Sequence, residues 1–474
     1  MNPTKIDTRL PLNEDALEPL YRQIYARVRN AIADGLLKPG DRIPAARGLA
    51  KELGLARGTV DNAYALLVAE GYVLSRGQAG TVVAPGVMLR TAAPRPEKRA
   101  KPEPFPLGAL PEHIKPLQLG LPALDAFPRK IWARISARCV RAMQPADMAY
   151  PPVFGQRALR TSISTYLNVS RGIDCKPSQV ILTSGYRETL GLVSRALLDP
   201  GSQVWVEDPG YPPTRALLQQ AGYSLAPVPV DHEGIVVAEG VRSAPHARAA
   251  VVTPAHQSPL CVSLSLPRRL ALLDWASRNQ AWIVEDDYDG EYRYVGRPLP
   301  ALKSLDRDGR VLYSGTFSKV LFPGIRLAYL VVPEALVERF EQISQIFGGG
   351  SPALTQAIVS AFMAEGHFAR HIQRTRKLYG ERRDVAAASL SAVLAKMMQV
   401  EPQPGGMHLV LRMHGAARSD SALAARMRAS GLYAQSLTDW SIGKPQARAV
   451  FVSFTNIESE ATAVALGSRI RKLL

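Results

Sequence analysis

Cysteine is scarce: the 474 residues hold three, Cys139, Cys175 and Cys261. An odd number with no CxxC spacing excludes a disulfide framework and argues against a structural zinc site. No apolar run approaches the ~20 residues a membrane span requires. The N-terminal stretch MNPTKIDTRLPLNEDALEPL lacks the apolar core of a secretory signal. Internal repeats are also missing. A reducing cytoplasm, away from any membrane, is the expected setting. What is present is a length beyond one ordinary core, so two or more domains are expected. Hydrophobic residues at 46% and charged residues at 21% mark a globular composition. A net charge of +17 permits nucleic-acid binding without specifying it, because the excess is spread along the whole chain.

One stretch reads as a linker. Residues 86–116, GVMLRTAAPRPEKRAKPEPFPLGALPEHIKP, are proline-rich and carry no sustained apolar period, a composition that cannot pack a core. They divide a small unit, 1–85, from a large one, 117–474. In the small unit Ile24, Val28, Ala31 and Ile32 give 21–33 a helical period, closed by Gly35 and Pro39-Gly40. A short helix is expected over 46–53. A third covers 57–70, with Val60, Ala63, Tyr64 and Leu67 on one face. Two short β segments, 72–74 and 81–84, then flank a tip at 75–80.

Two helices separated by a tight turn at Gly54 form a helix-turn-helix pattern. The N-terminal residues of the second helix, Arg57, Gly58, Thr59 and Asn62, are placed to meet base edges in the major groove. Arg suits guanine and Asn suits adenine there. Arg47 and Thr59 are equally suited to phosphates, which fix register without reading sequence. Arg76 and Gly80 at the tip suit a hairpin laid along the backbone or minor groove. The run from PLYRQIYARVRN to GQAGTVV resembles the winged helix of the GntR family, most specifically in LKPGDRIPAARGLAKELG and in LVAEGY followed by the wing. The resemblance implies double-stranded operator DNA as a partner. Ala45-Ala46 stands where that family usually has two serines before the arginine.

The large unit alternates short apolar runs at 180–185, 203–209, 249–256, 281–288 and 310–315 with helical stretches such as 189–198 and 267–279. Such alternation predicts a mostly parallel sheet covered on both faces, with ligands at the carboxyl ends of its strands. Those ends carry a particular set of residues. Lys319 follows the strand in SGTFSK, where burial would lower its pKa and favour imine formation. Arg326, in FPGIR, suits a bidentate grip on phosphate. Asp286 can pair with a protonated ring nitrogen, with Glu285 and Asp287 as rivals, and Tyr288 can donate to a ring oxygen. Ser184, Gly185 and Tyr186 open a helix, a ready anion site. Tyr211 is positioned to cover an aromatic ring. An amine, a carboxylate, an aromatic cover and an anion cup are what pyridoxal phosphate requires of a protein.

Residues 117–474 resemble the fold type I aminotransferases, which implies an α/β domain around pyridoxal 5′-phosphate. The resemblance makes Lys319 the covalent, catalytic lysine, and Asp286, Tyr288, Tyr211 and Arg326 cofactor ligands. It adds Thr316 as a phosphate hydroxyl and Tyr150 as a residue reaching the neighbouring subunit's phosphate, hence a homodimer. His256-Gln257 and EDDYDGEYRY are similar to the MocR subgroup of the GntR family in particular. The resemblance implies a regulator that binds DNA and senses pyridoxal phosphate, an amine or an amino acid. Its rivals are a working aminotransferase with a vestigial N-terminal domain, and a DNA-binding protein whose large domain only dimerises. Three departures stand out. HQxPTG appears as His256-Gln257-Ser258-Pro259-Leu260-Cys261. Arg187 replaces a common glutamine. Phe451 stands where aminotransferases hold the substrate carboxylate with an arginine, Arg448 being three residues too early.

Overall fold

The computed structural model describes residues 18–77, 80–85, 113–296, 300–348, 350–415, 419–445 and 447–474. The chain divides into two compact units, Met1–Glu103 and Pro104–Leu474. The expected linker, 86–116, lies outside the described residues except for 113–116. Of these, Pro116 already belongs to the large unit: its carbonyl accepts from Tyr433 N–H at 2.9 Å.

In the small unit α1 (Leu20–Ala33), α2 (Ala46–Leu53) and α3 (Arg57–Ala69) are followed by β1 (Val73–Ser75), antiparallel to β2 (Thr81–Val83). The residues of the helical periods are the buried ones. Ile24, Val28 and Ile32 of α1 meet Val60, Ala63 and Leu67 of α3 in one core. Gly54 ends α2 at φ +68°, the left-handed conformation that glycine adopts without a Cβ penalty. The first strand begins one residue later than the sequence suggested. Val73, which opposes Val83 across the hairpin, is wholly buried with it, whereas Tyr72 only packs at the edge of the core.

The large unit is built on an eight-stranded sheet. Its members are β3 (Val180–Thr183), β4 (Gln203–Asp208), β5 (Ser224–Asp231), β6 (Gly234–Ile235), β7 (Ala249–Val252), β8 (Trp282–Asp287), β9 (Val311–Thr316) and β10 (Ala328–Val331), in the order β3-β10-β9-β8-β7-β4-β5-β6. The central pairs β5/β4, β4/β7, β7/β8 and β8/β9 are parallel, as expected. The strand β10, absent from the sequence reading, runs antiparallel between β3 and β9. Its four residues, AYLV, are all buried and follow the lysine loop with no intervening α-helix, so the alternation that revealed β3, β4, β7, β8 and β9 is missing there.

Period two sorts the central residues between two cores. Val204 and Val206 of β4, with Ala249 and Val251 of β7, face one layer; Trp205, Ala250 and Val252 face the other. Helix α6 (Tyr186–Leu197) supplies the first layer. In the second, Trp275 of α9 (Leu266–Arg278) stacks on Trp205 at 3.8 Å. Both faces are thus covered, as parallel strands demand. Also in this unit are α4 (Arg129–Ala142), α5 (Arg157–Arg171), α7 (Pro212–Gln220), α8 (Val237–Ser243), α10 (Val337–Phe347) and α11 (Ala353–Ala364). The long α12 (His367–Leu394) packs on a second, antiparallel sheet, β11 (Met398–Glu401), β12 (His408–Met413), β13 (Gln435–Ser436) and β14 (Ala449–Ser453), in the order β11-β12-β14-β13. Val450 and Val452 of β14 point into the core beneath α12, so Ala449 and Phe451 point the other way, toward Cys261 and Trp440.

Candidate functional site

Because β10 runs against both its neighbours, β3 is aligned with β9, and the carboxyl ends of β3, β4, β7, β8 and β9 share one edge of the sheet. That edge collects the expected residues. Lys319 Nζ donates to the Gly120 carbonyl at 3.0 Å. Gly120 sits at φ +75°, a conformation that favours glycine, and a Cβ there would lie 2.3 Å from Nζ and displace the amine. Burial lowers the lysine's pKa, against the opposing charges of Asp289 and Asp286, which favours the nucleophilic free amine.

The three adjacent carboxylates separate cleanly. Glu285 accepts the Leu302 and Lys303 N–H groups, both at 2.8 Å. Asp287 is held by the Arg171 guanidinium and by the Tyr313 hydroxyl, which donates at 2.6 Å. The Asp286 carboxylate makes no hydrogen bond among the described residues. It lines a cleft of about 400 Å³ with Tyr186, Glu207, Tyr211, Thr253 and Trp440. Burial raises its pKa well above the carboxylate range and Asp287 adds to the rise, while Lys319 opposes it. A buried carboxylate of this kind calls for a cation opposite it. A second buried acid, Glu207, is pushed up to about 7 by burial although Thr253 and Gln257 hydrogen-bond to it.

At the start of α6, Gly185 takes φ +139° and lies against the Arg326 guanidinium, which a Cβ there would approach to 3.2 Å. Thr316 Oγ1 accepts from Ser318 N–H at 3.1 Å, so its own O–H remains to donate. Ser184 is already engaged. Its N–H donates to the Glu188 carboxylate at 2.6 Å and its hydroxyl to the same oxygen. The Tyr186 hydroxyl meets that of Thr214 at 2.6 Å, and its ring stands edge-on to Tyr211 with centroids 5.9 Å apart. Tyr288 OH is 3.0 Å from His256 Nδ1. Tyr150 is not brought to this site at all: it is fully exposed. Phe451 is fully buried, 5.7 Å from Trp440 and 6.0 Å from His408 by ring centroids, and Arg448 lies exposed just before β14.

Sequence reasoning missed Gly120, Glu188, Asp289, Arg171 and His371. Only Glu188 left a local signal, an acid four residues after the serine it binds. His371, on α12, hydrogen-bonds the Val320 carbonyl from Nε2 at 2.9 Å and so braces the lysine loop. Burial pushes its pKa down to about 4. Below about pH 6.5 the unfolded chain takes up a proton that the folded chain refuses, so stability is lost as pH falls from there toward 4. The expected loss through this residue between pH 7 and pH 5 is on the order of 2 kcal/mol. Urea midpoints of His371→Gln should therefore fall less over that interval than those of the native chain; equal falls would contradict the assignment.

In the small unit Arg47, Arg57, Gly58, Asn62 and Arg76 are exposed, with Thr59 and Gly80 half-buried. Arg57 pairs with Asp61 one turn on, at 3.3 Å. Both α2 and α3 have alanine at the N-cap, Ala45 and Ala56, without a side-chain cap; at α2 this is the structural consequence of the missing serines. At the tip, Arg76 N–H donates to Gly80 O at 2.9 Å. Arg42, not singled out by sequence, lies 3.4 Å from where a Gly80 Cβ would be.

Comparison with known proteins matches residues 20–83 to the model of bacterial regulatory proteins, gntR family, and residues 119–460 to aminotransferase class I and II. The chain is 39% identical to the probable rhizopine catabolism regulatory protein MocR of Rhizobium meliloti, covering 85% of this chain and 83% of that one. It is 35% identical to the HTH-type pyridoxine biosynthesis transcriptional regulator PdxR of Corynebacterium glutamicum, over 85% and 86%. Among solved structures, an archaeal alanine:glyoxylate aminotransferase superposes with a TM-score of 0.70 at 25% identity, over 76% of this chain and 90% of that one. The α-aminoadipate aminotransferase LysN of Thermus thermophilus, complexed with N-(5′-phosphopyridoxyl)-L-leucine, gives 0.68 at 27%, over 76% and 92%. Among the described residues no helix is long and apolar enough to cross a membrane.

Proposed function

Since the chain belongs to the bacterial GntR regulatory family and carries an aminotransferase class I and II domain, we propose that it is a transcription regulator that binds operator DNA through its winged helix and reads pyridoxal phosphate through its aminotransferase-like domain. The observation that carries this reading is a buried carboxylate without a side-chain hydrogen bond among the described residues, Asp286, in the field of a buried lysine, Lys319, at the sheet edge that also carries a guanidinium against a helix start. Lys319 would hold the cofactor covalently, Asp286 its ring nitrogen, Tyr288 its ring oxygen and Tyr211 its face. Arg326, Thr316 and the Gly185–Tyr186 amides would take the phosphate, and Ser184 joins them once Glu188 turns away. When bound, the cofactor supplies an electron sink for bonds at the carbon attached to its amine partner. Residues 1–85 and 117–474 are the two functional domains of this reading.

Pyridoxal phosphate itself is the favoured effector, with a small amine as the second choice. Phe451 offers no cation to a substrate carboxylate, and an unpaired charge in a desolvated pocket is costly. Without that anchor an amino acid loses the orientation that catalysis requires. The Corynebacterium relative named as a regulator of pyridoxine biosynthesis supports the same choice. Little or no transamination is expected. A panel of α-amino acids should leave the holo-protein's visible spectrum unchanged, and conversion by a common one would return the carboxylate to Arg448 or another cation.

DNA contact is tested at two arginines. Arg57→Ala should cost ~1–3 kcal/mol of operator affinity and relax specificity at one base pair, whereas Arg47→Ala should lower the salt slope by about one. Binding unchanged in both variants would remove the winged-helix docking. The assembly is expected to be a homodimer, with the exposed Tyr150 completing the partner's phosphate site. Sedimentation at micromolar concentration should give a dimer; a monomer with cofactor bound would contradict it.

A further inference from the structure

His256 is more than a family marker. Its ring lies against Gly406, where a Cβ would come within 1.9 Å, so the absence of a side chain there leaves the imidazole its room. Nδ1 is 3.0 Å from Tyr288 OH and 3.1 Å from Asp289 Oδ2. Among the described residues Asp289 Oδ2 has no well-directed hydrogen bond, so its link to Nδ1 is one of charge and proximity. His256 is 7% exposed and Asp289 1%, so the carboxylate's charge acts on Nδ1 through little solvent. Charge and distance together keep a hydrogen on Nδ1, whichever form Nε2 takes. A tyrosine hydroxyl has one hydrogen to give. If Nδ1 carries a hydrogen, Tyr288 accepts from His256 and keeps its own O–H to donate forward. If Nδ1 were bare, that O–H would be spent on the histidine.

We propose that His256, with its hydrogen fixed on Nδ1 by Asp289, is a positioning residue that compels Tyr288 to donate its hydroxyl toward the cofactor's ring oxygen. The inference rests on the cofactor reading above. Other ionisable groups face the imidazole: Cys261 on its own loop, His408 from β12, whose Nε2 is 3.1 Å from Cys261 Sγ, and Arg171 and Arg293 across a shared cleft. Cys261 also interacts with the imidazole, and Ser258 meets the Tyr288 hydroxyl as a donor to its oxygen; Nδ1 is the nitrogen that faces Tyr288 and Asp289.

The pH midpoint of the visible band of the lysine-bound cofactor tests this. A hydroxyl donated to the ring oxygen stabilises its anion and lowers the proton affinity of the oxygen–nitrogen pair. Tyr288→Phe and His256→Leu should each raise the midpoint by about one pH unit, a tenfold change in proton affinity. The double variant should raise it no further than Tyr288→Phe, because His256 acts through the tyrosine. His256→Asn, whose amide N–H can stand in for Nδ1, should restore the midpoint, which a purely structural role would not explain. A His256→Leu midpoint that stays in place, or that shifts equally in the Tyr288→Phe background, overturns the proposal while leaving the cofactor reading intact. A native protein with no visible band overturns both.

Discussion

Lys319→Ala protein, folded and supplied with pyridoxal phosphate, is expected to show no visible band and to retain no cofactor after borohydride treatment and denaturation. The reason is local. Among the described residues Lys319 Nζ is the amine held against Gly120 and within the field of Asp286 and Asp289, and burial shifts it toward the free base that attacks a carbonyl. The proposed phosphate contacts at Gly185 and Arg326 do not depend on it, so weak non-covalent binding should survive. The absorbance spectrum and the mass of the borohydride-treated chain decide the matter. A band that persists in the folded variant would move the attachment to another lysine.

Arg171→Met should be the most destabilising single change near the site, by about 3–5 kcal/mol. The guanidinium is 4% exposed and its partner Asp287 2%, and Arg171 also donates to the Gly290 carbonyl at 3.0 Å. Removing it leaves Asp287 buried, with the Tyr313 hydroxyl as its remaining donor. The uncompensated charge would also raise the pKa of Asp286 further, since Asp287 already pushes it up. Cofactor affinity should fall with stability. Urea unfolding measures the first and spectral titration the second. The double variant Arg171→Met with Asp287→Leu should recover much of the lost stability, because replacing both partners of a buried pair is often close to neutral. A single variant within about 1 kcal/mol of the native chain would show that water reaches the pair.

Much of this was legible in the sequence because it is local. The 3.6-residue period of Ile24, Val28 and Ile32 gave α1, and the apolar runs gave β3, β4, β7, β8 and β9 within a few residues. Lys319 and Arg326 were readable from one continuous phrase. The choice among Glu285, Asp286 and Asp287 was not. Period two along β8 puts the first and third on one face and Asp286 on the other, but nothing in the local sequence says which face meets the cleft. That answer comes from Arg171, 116 residues away, and from Leu302 and Lys303 beyond the strand. Gly120 lies 199 residues from the lysine it accommodates, so its role could not be read from spacing. β10 escaped because four consecutive buried residues carry no period and no α-helix separates them from β9. Phe451 reads in the sequence as standing where aminotransferases have an arginine; the alternation of β14 places it toward Cys261 and Trp440, with Val450 and Val452 on the opposite face.

The regulator reading stands or falls on whether the cofactor site and the DNA site communicate. The direct measurement is operator affinity, by fluorescence anisotropy at fixed salt, as cofactor-free protein is titrated with pyridoxal phosphate. The expected result is a change of about 5–150-fold, the usual range of coupling between two sites, in native protein, with little or none in Lys319→Ala. Identical affinities with and without pyridoxal phosphate, in a native protein whose spectrum shows the cofactor bound, would contradict it.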